Sequence, residues 1–461
     1  MSDLVSSAVQ YAQKNKDVFL NSFREFLEIP SISADAKYKD DIQKAAQWLA
    51  NYLKEIGINK IKIFKTKMHP IVYGEYLVAG PNFPTILIYG HYDVQPPDPL
   101  NEWHTKPFKP TIKGDYLFAR GSSDMKGQIM VSLTAVESIM KTTHLPINIK
   151  FLFEGEEEIG SVSIERFLEG HKDLLKSDFV LNLDAGMIDA KTPTIVYGLR
   201  GLAYFEIHIS GPEHDLHSGI FGGIVYNPAQ ALCELLAGMK DENGVIQLPG
   251  FYNFVSQLSE LEKNQLLKLP LNDELFLKQT GVNELWGEKG FTSIERIGAR
   301  PTLEIHGILT GYTGEGPKTV IPSSAMAKIS TRLVPNQTPD LIYQQLVQYF
   351  EEKSPRQVNW SIKQLASDPA CIIDRNFYAT KYFSQALKDV WGVEPVFKRE
   401  GGSIPIVFYI KKILGIESVL SGFGLPDDHI HAPNERLHLP TWEKGIETTI
   451  RFFDYLAKYD E

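Results

Sequence analysis

The stretch Thr85-Ile-Leu-Ile-Tyr-Gly-His-Tyr-Asp93 decides the fold. Its opening run, Thr85 to Tyr89, is short, largely apolar and not alternating, the pattern of a strand buried on both faces of a mostly parallel sheet. Three further runs read the same way: Asn148 to Phe153, Phe179 to Leu183 and Glu417 to Leu420. Helical segments such as Met125 to Met140 lie between them, which makes an α/β layer architecture. Each run leads into residues that bind cations: His91 and Asp93, then Glu154-Gly-Glu-Glu157-Glu158, then Asp184, then Asp427-Asp-His-Ile-His431. In an open α/β sheet, ligands bind outside the carboxyl ends of the strands, so one site can collect all of these groups. Asp124, just where a helix is predicted to begin, adds another carboxylate.

Outward from this core, two helices are predicted to open the chain. The second carries Ile42, Ala45, Ala46, Leu49, Ala50, Leu53 and Ile56 at helical spacing and stops at Gly57. From about residue 199 to 366 the strands instead alternate, Ala203, Phe205, Ile207 and Ile209 against Tyr204, Glu206, His208 and Ser210, as in a sheet covered on one face. The predicted order there is strand 202–211, helix 227–240, strands 302–311 and 325–334, helix 338–352 and strand 357–365, with a polar insert, Asp241 to Arg300. That is the βαββαβ, ferredoxin-like order. The expected organisation is a mostly parallel α/β domain in two parts, 1–198 and 367–461, interrupted by an inserted α+β domain, 199–366.

Composition narrows the function. The 47 Lys and Arg against 57 Asp and Glu give a net charge of −10, a field that opposes nucleic acid and anionic membrane surfaces. Two cysteines, Cys233 and Cys371, are too few for a disulfide framework or a thiolate metal site and suit a reducing compartment. The stretch from Met1 to Lys16 lacks the basic and apolar regions of a signal peptide, and no later run is apolar enough to span a bilayer; a cytoplasmic protein is expected.

Taken singly, the candidate ligands have plainer explanations. A lone strand-end histidine such as His91 is more often a hydrogen-bonded structural residue, Asp124 is a natural helix N-cap, and the run from Glu154 to Glu158 is a solvated acidic turn. Together they read differently, because the buried strand delivers adjacent carboxylates to a sheet edge where only a cation relieves their repulsion. Two imidazoles with several carboxylates and no thiolate suit Zn²⁺ first, or Mn²⁺ or Co²⁺. The candidates exceed one tetrahedral shell and fit two cations about 3.5–4 Å apart that clamp a water for attack on a carbonyl.

The sequence resembles the carnosinase, aminoacylase and desuccinylase superfamily of metallopeptidases, and within it the carnosinase-like cytosolic dipeptidases. The resemblance extends over nearly the whole chain and rests on Gly90-His-Tyr-Asp-Val-Gln-Pro96, Arg120-Gly-Ser-Ser-Asp-Met-Lys-Gly127, Glu154-Gly-Glu-Glu-Glu-Ile-Gly-Ser161, Asp215-Leu-His-Ser-Gly219, Lys318-Thr-Val-Ile-Pro322, Arg332-Leu-Val-Pro335, Glu400-Gly-Gly-Ser-Ile-Pro405 and His431-Ala-Pro-Asn-Glu435. It implies His91, Asp124 and Asp184 on one metal and Glu158, His431 and the shared Asp124 on the other, with Asp93 orienting His91. It gives Glu157 the role of general base, although the sequence has a third glutamate where relatives often have an apolar residue. It further implies that His217 reaches the substrate carbonyl from a partner subunit, hence a homodimer, and that Arg332 takes the substrate's C-terminal carboxylate, with Thr319, Gly402 and Ser403 beside it. The inserted domain would then be a lid and dimerisation domain, and Asp124-Met125 a cis peptide.

The expected activity is hydrolysis of dipeptides or short peptides with a free C-terminal carboxylate. An N-acyl-amino-acid deacylase or carboxypeptidase would keep the same metal centre and Arg332. A metal-stabilised scaffold without catalysis is the reading from another class, and the retained Glu157 argues against it.

Overall fold

The computed structural model describes residues 2–458, which form two compact units. The first comprises the chain up to Tyr197, Ile373–Lys398 and the residues from Pro405; the second comprises Gly198–Ile372 and Arg399–Ile404.

The first unit is built on a mixed sheet. Its centre is parallel, in the order Asn148–Glu154, Thr85–His91, Phe179–Asn182, Glu417–Ser421. Both flanks are antiparallel: Ile71–Tyr76 pairs with Asn148–Glu154 and Lys60–Phe64 with Ile71–Tyr76, while Thr194–Leu199 pairs with Glu417–Ser421 through Leu420↔Val196. The expectation of a mostly parallel sheet is thus corrected to a mixed one. Lys60–Phe64 and Ile71–Tyr76 are joined by a short turn, which permits antiparallel pairing only, whereas parallel neighbours need a crossover. The crossover helix Lys126–Thr142 is buried along nearly its whole length, as a helix between a sheet and the helices Asp3–Lys14 and Leu439–Ala457 must be. Among the described residues three α-helices, not two, precede the first strand, because the opening helical pattern breaks at Asn15, whose side chain donates to the Tyr11 carbonyl at 2.9 Å. A small antiparallel sheet, Thr111–Lys113, Tyr116–Phe118 and Arg436–His438, was not foreseen.

The second unit carries a four-stranded antiparallel sheet in the order Thr302–Thr310, Ser324–Leu333, Gly201–Ser210, Asn359–Asp368. The helices Pro228–Gly238 and Pro339–Lys353 cover one face; Asn227 and Thr338 cap them, each followed by a proline whose fixed φ suits the first turn. The inward residues Ala203, Phe205, Ile207 and Ile209 lie in its core. Arg399–Ile404 groups with this unit rather than with its neighbours in sequence.

Candidate metal centre

Strand register in the first unit brings the acidic and imidazole groups level. In the parallel pair, His91 lies opposite Glu154, and the neighbouring strand ends at Asn182, whose side chain accepts the amide of Asp184 at 2.8 Å. Asp124 does not cap the helix behind it: the helix starts at Lys126 with Met125 as N-cap and no side-chain cap, and the Asp124-Met125 peptide is cis. Gly127 lets this turn close up, since a Cβ there would lie 2.1 Å from the Ser122 carbonyl oxygen. The carboxylate is left free, and its two oxygens face two histidines, Oδ1 at 3.1 Å from Nε2 of His91 and Oδ2 at 2.9 Å from Nε2 of His431.

Two sets of possible ligands share this residue. His91, Asp124 and Asp184 form one; Asp124, Glu158 and His431 form the other; in each, one donor atom per residue lies within 4.8 Å of the rest. Nε2 of His91 is 3.6 Å from Asp184 Oδ1, and Nε2 of His431 is 3.3 Å from Glu158 Oε2. Nδ1 of His91 faces the backbone oxygen of Asp93 at 3.1 Å and its carboxylate at 3.4 Å. That carboxylate also accepts the amides of Glu157 at 3.2 Å and Glu158 at 3.1 Å, so Asp93 ties the histidine to the acidic turn.

The glutamates of that turn are sorted by their partners. Glu154 accepts the hydroxyls of Tyr89 and Ser161, and Glu156 accepts the amides of His69 and Ser163 with the hydroxyl of Thr66, so both are spent on structure. Glu158 accepts the side-chain amide of Gln95 at 2.7 Å. Among the described residues, the Glu157 carboxylate makes no hydrogen bond and belongs to neither ligand set. Burial, then the charges of Asp184, Glu158 and Asp124, hold the Glu157 carboxyl well above the carboxylate range. Burial and Asp124 push Glu158 to about 8, and burial raises Asp184. For Asp124 burial acts in the same direction, but hydrogen bonds with His431 and His91 outweigh it and hold its carboxyl low. Carboxylates crowded out of water in this way are the donor set that a divalent cation satisfies, so the residues fit a metal pair.

Two residues without an assigned role in the sequence complete the frame. Glu435, 1% exposed, accepts the amides of Gly121, Ser123 and Asp124 and the guanidinium of Arg120 at 2.8–3.1 Å, which fixes the turn carrying Asp124. Asn434 joins the turn carrying His431 to another loop, accepting the His104 amide and donating to the Glu102 carbonyl. His429, His431 and Asn434 all have positive φ, a conformation such residues adopt only where their surroundings hold them.

A model of peptidase family M20/M25/M40 matches residues 87–455, well over half of the sequence. The chain belongs to this family. The Cys-Gly metallodipeptidase DUG1 of Candida albicans is 31% identical to it across 96% of this chain and 95% of its own. The human Beta-Ala-His dipeptidase is 30% identical across 99% and 93%. Among solved structures, the M20 family metallo-carboxypeptidase Sso-CP2 from Sulfolobus solfataricus superposes with a TM-score of 0.85 at 35% identity, covering 96% of this chain and 99% of that one.

The remaining candidates of this M20 protein lie in its second unit. His217 is exposed, and its Nδ1 accepts the Gly219 amide at 3.0 Å. It pairs with Val320 in a two-stranded ladder, so Thr319, also exposed, is close by and accepts the Ser218 amide at 3.1 Å. Arg332 is half-buried at a strand end and donates to Ser403 Oγ at 3.3 Å, in the same turn as Gly402. His217 and Thr319 therefore form one group, and Arg332, Gly402 and Ser403 another.

Proposed function

We propose that this protein hydrolyses the peptide bond of dipeptides or short peptides with a free C-terminal carboxylate. The observation that carries the reading is Asp124, whose two carboxylate oxygens each face a different histidine while Glu157 nearby is unspent. His91, Asp124 and Asp184 would hold one divalent cation, and Asp124, Glu158 and His431 the other. Zn²⁺ suits these donors first, with Mn²⁺ or Co²⁺ as alternatives. When bound, the pair supplies Lewis acidity and a water that is acidic near neutral pH.

Glu157 takes the proton of the attacking water and returns it to the leaving amine. Asp93 holds the His91 ring in the orientation its Nδ1 contacts define. Arg332 takes the substrate's terminal carboxylate with a planar fork that matches it, Ser403 and Gly402 add contacts at that end, and Thr319, grouped with His217, reaches it from a second copy. His217, by its resemblance to the family, stabilises the tetrahedral oxyanion of a substrate bound by a second copy.

The second unit is read as a ferredoxin-like lid and dimerisation domain. Its edge strand Thr302–Thr310 supports this, because it pairs on one side only and exposes Ile305, Ile308 and Leu309, an edge that calls for a partner. A cytoplasmic setting accords with two cysteines that form no disulfide; among the described residues no helix is long and apolar enough to cross a membrane.

The test is release of amino acids from unblocked dipeptides, N-acetyl amino acids and longer peptides, with Zn²⁺ or Mn²⁺ supplied. Dipeptides are the expected substrates; preferential turnover of N-acetyl amino acids, or none at all with metal bound, overturns the reading. Likeness to a metallo-carboxypeptidase at 35% identity favours one second reading, release of single residues from the C-terminus of longer peptides. In that case rates would hold or rise as the substrate lengthens.

A further inference from the structure

The second unit buries a second guanidinium behind the first. The register Leu333↔Gly201 and Arg332↔Leu202 brings Arg200, just before that strand, close to Arg332. Arg200 is 8% exposed. Its Nε donates to the Gly401 carbonyl at 3.1 Å, and its Nη1 to the Arg296 and Arg300 carbonyls at 3.3 and 3.4 Å. Ser403, which receives Arg332, donates in turn to the Arg200 carbonyl at 2.8 Å. A Cβ on Gly401 would lie 2.9 Å from Arg200 Nη2 and 3.1 Å from the Ile297 carbonyl oxygen, so the turn sits close against the guanidinium and a side chain there would press on it. A Cβ on Gly402 would meet nothing within 4 Å, which leaves the turn open on that side.

The charge balance is as informative as the contacts. Among the described residues, no carboxylate lies within 4.0 Å of either guanidinium. Burial and then Arg332 push Arg200 down to about 10, with Glu400 and Glu304 drawing it the other way. Two cations close together and away from water repel each other unless an anion joins them. All five of Arg200's donors point from a rigid fork, and those accounted for here go to neutral carbonyls, so its charge is not spent on a partner inside the protein.

Resting on the reading of Arg332 given above, we propose that Arg200 is a positioning and specificity residue for the substrate's C-terminal carboxylate. It fixes the Gly401-Gly402-Ser403 turn against Arg332 and adds a second buried positive charge that rewards an ionised terminus and disfavours an amide. It does not touch the substrate; it acts through the turn and through its field.

Calorimetric titration of the metal-loaded full chain, with Glu157→Gln present throughout so that turnover does not intervene, tests this with alanylleucine and alanylleucinamide as probes. The parent with Arg200 intact should prefer the free acid. Arg200→Gln should weaken the acid about 10-fold or more and leave the amide unchanged. Arg200→Lys, which keeps the charge and loses the fork, should fall between. Gly401→Ala, which retains both arginines and crowds the turn, should show the same selective loss if Arg200→Gln fails to fold. Equal weakening of acid and amide in the folded variants overturns the inference, as does unchanged preference for the acid; in both cases the reading of Arg332 survives. A parent that does not distinguish acid from amide removes both.

Discussion

The two units present opposite versions of one electrostatic problem. In the first, Asp124, Glu157, Glu158 and Asp184 crowd negative charge at strand ends; in the second, Arg200 and Arg332 crowd positive charge at the end of an antiparallel pair. The acidic cluster can relieve itself by taking up protons, and the carboxyls of Glu157 and Glu158 are raised accordingly. Guanidinium has no such outlet in the physiological range. Protonation is therefore open to the first cluster as a relief, whereas the second rests on fixed carbonyl dipoles. The candidate metal site and the proposed carboxylate site are thus built by the same means, like charges held together by backbone groups.

The comparison can be broken at its strongest point by Asp124→Ala, which removes the residue common to both ligand sets. Both metal ions and all activity are expected to be lost, read by metal analysis of the purified protein; retention of two ions would end the bridging assignment. Next in size, Glu157→Gln should lower kcat by about 10²–10⁴ with metal content unchanged, as the proposed role of base rather than ligand requires. Loss of metal in that variant would reverse the roles of Glu157 and Glu158.

Glu435→Ala leaves Arg120 buried and three amides without their acceptor. It should cost about 3–5 kcal/mol of stability and about 10–100-fold in metal affinity. Denaturant titration and chelator competition measure the two effects separately. On the basic side, Arg332→Ala should raise KM for free dipeptides about 10-fold or more and leave their amides unaffected, since a charge-assisted bond is lost. Smallest is Ile308→Lys on the exposed edge strand: sedimentation should show dissociation of the proposed dimer at low concentration while metal content stays at the wild-type level. An unchanged sedimentation coefficient would move the interface elsewhere.

What the sequence made legible divides along the same lines. Strands buried on both faces were readable because Ile86 to Tyr89 or Phe151 to Phe153 admit no polar residue, and their ends carry the acidic and imidazole groups in plain order. The flanking strands Lys60–Phe64 and Ile71–Tyr76 were not, since Lys60, Lys62, Gly74 and Glu75 mask the pattern. Glu75 is buried only because Lys60 and Tyr73 donate to it. Of the acidic run, the sequence showed several glutamates of one kind; tertiary contacts from Thr66, His69 and Ser163 single out Glu156 as structural. Glu435 stood in a quoted motif without a role, because its partners lie more than 300 positions away, the amide of Asp124 being 311 residues back. Arg200 gave no signal at all, being one arginine in an otherwise apolar stretch.

The strand Glu417–Ser421 sits inside the first sheet, between Phe179–Asn182 and Thr194–Leu199. During synthesis that slot stays open until the ribosome has passed Ser421, and His431 and Glu435 follow later still. The second unit's four strands, all complete by Asp368, can pair while the first waits. A nascent chain consequently lacks the second of the two candidate ligand sets until His431 has been made, and products truncated before it should carry no hydrolytic activity into the cell.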